Sequence, residues 1–241
     1  MGARPRSLRG LTEVRGWEDN SRPTGRYTMG RRGQPTREHI LDAAVRLMRV
    51  RGYHRTGLGD VLRASGTGKG LFYHYFRSKE ELGFAILDRL VRDFTADTLE
   101  PVFGDDSRSP LAQVAAFLDA VVETHRARNC VGGCPIGNLA TELADAHEGF
   151  RRRLTEVFDD WRRRVAATLA RARAEGTLST EADPVRLAQF LVAGLEGAIL
   201  LSKVEKDIGV METCVGELQR HLAFYREDGQ MASGTATEGP S

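Results

Sequence analysis

Two short stretches carry residues able to do chemistry. GTGKG, residues 66–70, sets glycines around a lysine, and such a loop either cradles a phosphate or turns sharply between two helices. NCVGGCPIG, residues 129–137, holds Cys130 and Cys134 about a glycine pair, with His125 and His147 on either side. A phosphate-binding P-loop needs G-x-x-x-x-G-K-[ST] after a strand: backbone amides wrap the phosphates, the lysine reaches their charge and the hydroxyl binds magnesium. Counting back from Gly68 and Lys69 puts Arg63 at the first glycine and Gly70 at the hydroxyl position, and the residues leading in have helical character. A dinucleotide fingerprint fails as well, because it too requires a strand. The cysteines and histidines lack the close paired spacing of a structural zinc site, so no metal is expected. No nucleophile–base arrangement is visible, which argues against an enzyme and against a cofactor.

These residues must be positioned by elements, and the chain of 241 residues is long enough for one large domain or two small ones. Its net charge of +2 is nearly neutral, so a nucleic-acid role requires positive charge gathered in one place. Arg4, Arg6, Arg9, Arg15, Arg22, Arg26, Arg31 and Arg32 do gather at the N-terminal end, in a segment poor in aliphatic residues. Residues 1–33 are therefore expected to be a disordered basic arm, able to add salt-sensitive phosphate contacts. Met29, just ahead of the first helix, reads as a natural beginning, with residues 1–28 an arm, tag or upstream extension. No apolar run reaches the roughly 18 residues that cross a bilayer, and no signal-peptide core is present, so a cytoplasmic location without membrane contact is expected. Three cysteines fit a reducing compartment better than a disulfide framework.

From Thr36, a candidate cap, the pattern is helical: Ile40, Ala43, Ala44, Leu47 and Met48 recur at helical spacing, and Gly52 can close the turn. A short second helix runs to Ser65, a third from about Lys69 to Arg77, and Ser78 caps a fourth. Residues 101–110 read as a loop. Further helices follow, one with Phe150, Leu154, Val157, Trp161, Val165 and Leu169 on a single face, one opened by Asp183–Pro184 and running to about Lys206, and one over residues 211–225. The tail from residue 227 is expected to be disordered. No segment has a convincing strand period, so the chain is expected to be all-α.

On a wheel of about 100° per residue, Lys69, Gly70, Tyr73, His74 and Arg77 share one arc of the third helix, and Leu71, Phe72, Tyr75 and Phe76 the other. The first arc suits the major groove, where side chains meet base edges and phosphates together, and it equally suits an ordinary solvated surface.

The run YHRTGLGDVLRASGTGKGLFYHYFRSKEEL, residues 53–82, resembles the DNA-binding domain of the TetR family of bacterial transcriptional regulators: an aromatic after glycine, a Thr, an Asp–hydrophobic pair, a glycine turn, Lys-Gly, an aromatic–His/Tyr pair, Phe and Ser-Lys-Glu-x-Leu. The resemblance implies a helix-turn-helix domain over residues 34–80 and a helical ligand-binding and dimerisation domain over 81–226. It implies that Thr56, Tyr73 and Lys79 hold phosphates and that Lys69, Gly70, Leu71 and His74 approach or read bases. Gly57, in place of the usual Ser or Thr cap, and Thr67, in place of a common buried Val, depart from the pattern.

The implied function is that of a ligand-responsive repressor that binds a double-stranded operator as a homodimer and leaves it when a small-molecule effector binds. Phe117, Val121, Cys134, Phe150, Phe158 and Trp161 are the candidate pocket lining, each of them equally readable as plain core. The almost wholly apolar segment from Pro184 to Lys206, with Gly194 and Gly197 inside it, is expected to build a dimer interface with Val215, Leu218 and Leu222 of the last helix. GCPIGNLA, residues 133–140, is similar to a Gly-Cys-x-x-Gly-Asn-Leu-Ala motif of one subgroup of the family, whose members include regulators responding to electrophiles or small unsaturated acids. Cys134, just ahead of a helix start, could be a thiolate sensor or a small residue packing a turn. The arginine triplets at 151–153 and 162–164 read as a solvated face with acidic neighbours. A non-DNA-binding helical interaction module is the rival from another class.

Overall fold

The computed structural model describes residues 37–227. The regular elements among them are helices: α1 (Arg37–Arg51), α2 (Leu58–Ser65), α3 (Lys69–Tyr75), α4 (Lys79–Phe94), a π-helical turn (Thr95–Leu99), α5 (Glu100–Phe103), α6 (Pro110–Arg126), α7 (Pro135–Leu143), α8 (Glu148–Ala174), α9 (Pro184–Glu205) and α10 (Ile208–Ala223). One isolated antiparallel bridge joins Leu178 to Arg226. The all-α expectation holds. The arginine-rich arm, Met29, the Thr36 cap and the tail beyond Glu227 lie outside the described residues.

α1, α2 and α3 fold around Ile40, Leu41, Ala44, Val61, Phe72 and Phe76, all at most 1 % exposed. Burying each of the two phenylalanines contributes roughly 1.5–3 kcal/mol, which is what holds so short a helix as α3 in place. The turn before it depends on Gly66, whose φ of 61° lies in the left-handed region and lets the Thr67 N–H reach the Leu62 carbonyl at 3.0 Å. Neither departure from the family pattern leaves a defect. The Gly57 N–H donates to Asp60 Oδ2 at 3.2 Å, so α2 is still capped, and the buried Thr67 hydroxyl donates to the Ser65 carbonyl at 3.3 Å.

α4 starts at Ser78, whose hydroxyl accepts from the Glu81 N–H at 3.0 Å. It does not end before Pro101. The helix continues through the π turn into α5, the Glu100 N–H bonding the Thr95 carbonyl just ahead of Pro101. The loop expected over residues 101–110 is thus confined to Gly104–Ser109.

α6, α8, α9 and α10 pack side by side, with Phe117, Leu154, Trp161, Leu169, Leu191 and Leu195 among their buried residues. The expectation for the dimer face is corrected here. Val215, Leu218 and Leu222 are at most 6 % exposed within one chain, and a Cβ on Gly194 would lie 2.7 Å from Leu218 Cδ2. Gly194 therefore lets α10 approach α9 inside the subunit. The apolar residues of α9 that stay uncovered are Val185, Phe190, Leu200, Leu201 and Val204. α9 is also long and apolar enough to cross a membrane by length and composition, contrary to the sequence reading, although nine of its residues are buried in the chain's own core. The arginine triplets do form a solvated, paired surface: Arg151 meets Glu148, Arg153 meets Asp88 and Glu156, Arg162 meets Asp159 and Arg164 meets Asp160.

Candidate DNA-binding surface and ligand cavity

α3 presents the arc that its sequence outlines. Lys69, Gly70, Tyr73, His74 and Arg77 are exposed, Leu71 is half-buried, and Phe72 and Phe76 point into the core. Nothing lies within 4 Å of where a Gly70 Cβ would stand, so the missing side chain answers to no neighbour within the protein. Lys79, half-buried at the first turn of α4, lies 4.6 Å from the centre of the Tyr53 ring, and burial draws its ammonium below the ordinary lysine range while Glu142 opposes this. Thr56 stands apart from the other candidates. It is wholly buried and its hydroxyl donates to the Gly52 carbonyl at 2.8 Å, so its side chain holds the turn between α1 and α2.

A residue the sequence reading passed over ties this unit to the rest of the chain. The carboxylate of Glu142, on α7, accepts the backbone N–H of Tyr53 at 3.0 Å and that of His54 at 2.8 Å. A Cβ on Gly52 would fall 2.4 Å from Glu142 Oε1, and Gly52 has φ 81°, so the turn needs glycine both for its conformation and for the close approach of the carboxylate. Only the fold makes Glu142 legible, since 88 residues separate it from His54. Glu142→Ala leaves two amide donors without their acceptor, at about 1–3 kcal/mol for each that water does not reach. We expect a fall in melting temperature of several degrees by circular dichroism, with Glu142→Gln keeping part of the stability through its amide oxygen. Equal melting of Glu142→Ala and wild type would show that the contact holds nothing.

Behind α7 lies a cavity of about 280 Å³. Phe117, Val121, Cys134 and Trp161 line it as the sequence reading expects, and Phe94 and Thr98 bring the end of α4 and its π turn to the wall. Phe150 and Phe158 do not belong to it. Phe150 is in the first turn of α8, stacked on Phe84 at 4.1 Å and edge-on to Tyr53 at 5.7 Å, and so joins α8 to α4 and the α1–α2 turn. Phe158 packs edge-on against Trp161 at 5.2 Å outside the lining. The sequence reading missed the polar part of the wall, Arg49, His125, Arg128 and Glu196, because these come from four separate elements and no spacing links them.

The turn between α6 and α7 sets this wall. Asn129 and Cys130 both have positive φ, an uncommon state for residues other than glycine. Asn138 Nδ2 donates to the Gly132 carbonyl at 2.6 Å and Lys203 Nζ donates to Asn138 Oδ1 at 3.0 Å, pinning the turn to α9. Of the two readings of Cys134, its surroundings favour a small packed thiol over a thiolate. Burial, then the Glu196 carboxyl beside it, pushes the thiol well above the ordinary cysteine range, and the Gly137 N–H donating to Sγ at 3.2 Å does not reverse this. Cys134 is a protonated thiol at neutral pH, which weakens it as a nucleophile.

Comparison with known proteins agrees with this geometry. Residues 40–86 match the family described as "Bacterial regulatory proteins, tetR family", and residues 110–216 match "Tetracyclin repressor-like, C-terminal domain". The transcriptional regulator AcuR of Cereibacter sphaeroides is 34% identical over 206 residues, which span 82% of this chain and 94% of that protein. The HTH-type transcriptional repressor DhaR of a Mycobacterium species is 29% identical over 72% of this chain and 85% of its own. Among solved structures, a regulatory protein TetR from Rhodobacter sphaeroides superposes with a TM-score of 0.71 at 33% identity, covering 76% of this chain and 97% of that one. The reduced form of Escherichia coli NemR gives 0.70 at 26% identity, covering 78% and 96%.

Proposed function

The chain belongs to the TetR family of bacterial helix-turn-helix transcriptional regulators, and on that premise we propose that it is a homodimeric repressor whose operator complex is dissolved by a small molecule in the cavity behind α7. We read α3 as the recognition helix, with Lys69, Gly70, Leu71 and His74 at the base edges and Tyr73 and Lys79 on phosphates. Residues 34–80 then form the reading unit and 81–226 the unit that dimerises and binds the effector. The observation that carries the proposal is α4. Its first turn bears Lys79 beside the α3 surface, and its far end supplies Phe94 and, through the π turn, Thr98 to the cavity wall.

A ligand that binds more tightly when this wall has moved shifts the population of recognition-helix spacings, and by linkage the operator weakens the ligand equally. Two α3 helices must sit about 34–36 Å apart, or at a multiple, to meet successive half-sites. Phe190, Leu200, Leu201 and Val204, uncovered along α9 beside the open Gly197, form the face we assign to the second copy. We also place the chain in the subgroup with the Gly-Cys-x-x-Gly-Asn-Leu-Ala motif, in which GCPIGNLA shapes the cavity wall. The protonated state of Cys134 favours reversible binding over an electrophile sensor.

A gel shift with the DNA upstream of the protein's own gene tests the reading. A retarded complex at about 0.15 M salt that unlabelled upstream DNA displaces and random DNA does not is expected. Equal competition by both DNAs would exclude a sequence-specific regulator and favour the interaction module.

A further inference from the structure

Two arginines face the same cavity, and among the described residues neither has an ion-pair partner. Arg49 reaches it from α1 and Arg128 from the turn after α6. Among the described residues, neither guanidinium lies within 4 Å of a carboxylate oxygen, and Arg49 Nε is buried with no hydrogen-bond acceptor. Burial depresses both cations, and Arg49 depresses Arg128 further, so the pair repels across the space it lines.

The acids nearby offset this only in part: Asp93 favours the charged form of Arg49 without reversing the effect of burial. Asp93 is held by Arg89, whose Nε donates to both carboxylate oxygens at 2.8 Å. The Glu196 carboxyl, half-buried beside Cys134, is pushed above the ordinary glutamate range by burial. Asp97 lies at the exposed rim. His125 adds a third polar group. It is 5 % exposed, its Nδ1 bonds the Val121 carbonyl at 2.8 Å, and its Nε2 has no hydrogen-bond partner. Burial keeps that ring neutral, although the Val121 and Gly133 carbonyls favour its charged form. A neutral ring donating through Nδ1 leaves Nε2 as a lone pair. The opposite side of the cavity is apolar, with Phe117, Val121, Trp161, Val192, Leu195 and Ile199.

We propose that the ligand of this cavity is a small organic acid, its carboxylate held between the guanidinium groups of Arg49 and Arg128 and its carbon skeleton lying against the apolar wall. The proposal rests on the reading of the cavity as the effector site and names the chemical class that the site selects. A carboxylate supplies acceptors that match the planar donor forks, and in a partly desolvated site each such bond is stronger than between neutral groups. Neutral molecules of the same shape leave both cations uncompensated. Arg49 also belongs to the DNA-binding unit, so a bound acid ties α1 directly to the α6–α7 turn. Effector recognition and the position of the reading unit then share one side chain.

Thermal unfolding of the full chain without DNA tests the assignment, with straight-chain carboxylates of three to eight carbons and benzoate as probes, each set against its primary amide at equal concentration and ionic strength. At least one acid is expected to raise the melting temperature by about 3 °C or more while its amide does not. Arg128→Gln, which removes a repelled cation with no ion-pair partner among the described residues, is expected to fold and to lose that response by at least tenfold in the acid concentration required. Amides that stabilise as well as acids, an Arg128→Gln protein that responds like the wild type, or a panel in which no acid acts would each overturn the proposal. Because this assay reads occupancy without DNA, failure of the regulator reading would appear separately, in the gel shift.

Discussion

Gly70→Glu is expected to leave the protein folded and to weaken operator binding on the order of a hundredfold or more. The two halves of this expectation come from different observations. Nothing within the protein approaches the position of a Gly70 Cβ, and the residue is exposed, so a side chain there disturbs no packing. Gly70 also stands between Tyr73 and His74 on the outward arc of α3, the surface proposed to enter the major groove. A glutamate would hold the helix off the bases and set a carboxylate against phosphates. Melting within about 2 °C of wild type, together with loss of the retarded complex in a gel shift, is the expected pair of results. A folded variant with undiminished operator affinity would remove α3 from the interface. Tyr73 and Lys79 are less decisive, because either loss is shared among several phosphate contacts.

Leu201→Glu is expected to convert the proposed dimer to a monomer and to lose the operator with it. Leu201 is 48 % exposed in the single chain, between Gly197 and Val204 on the uncovered stripe of α9. The substitution costs the isolated subunit little, since a carboxylate there is solvated. Against a second copy it would be buried without a partner, and a buried unpaired charge costs several kcal/mol, enough to move a dimer constant by three orders of magnitude. Light scattering after size exclusion at micromolar concentration should give the mass of one chain, and the gel shift should show no specific complex, because one half-site alone is read weakly. A dimer that persists in Leu201→Glu would place the interface elsewhere. Leu218→Glu separates the alternatives further: Leu218 is buried against Gly194 within the subunit, so that variant should fail by unfolding.

α3 and the cavity differ in how much chain order alone reveals of them. The two-faced α3 was legible because every residue that shapes it lies within one local run. Gly66 makes the turn, Phe72 and Phe76 anchor one face, and Lys69, Gly70, Tyr73 and His74 fall on the other by helical period alone. Thr56 was the exception within that run. A motif position does not say which way a hydroxyl points, and packing turned this one toward the Gly52 carbonyl.

The uncovered face of α9 was half legible. A helix apolar nearly all round must be covered on several sides, but the period of α9 does not say which side its own chain covers. Packing of α10 through Leu218 into the gap at Gly194 decided that, and left Phe190, Leu201 and Val204 uncovered. By itself, then, the sequence determined the all-helical class, the turn and the two-faced α3, because short-range periodicity, capping and glycine conformation are properties of neighbours in the chain. Only the tertiary structure decided that Glu142 holds the Tyr53 and His54 amides, that Arg49 and Arg128 face one cavity, and that Cys134 stays protonated. Each depends on charge, burial and hydrogen-bond partners brought together from residues far apart in the chain, and no local pattern encodes them.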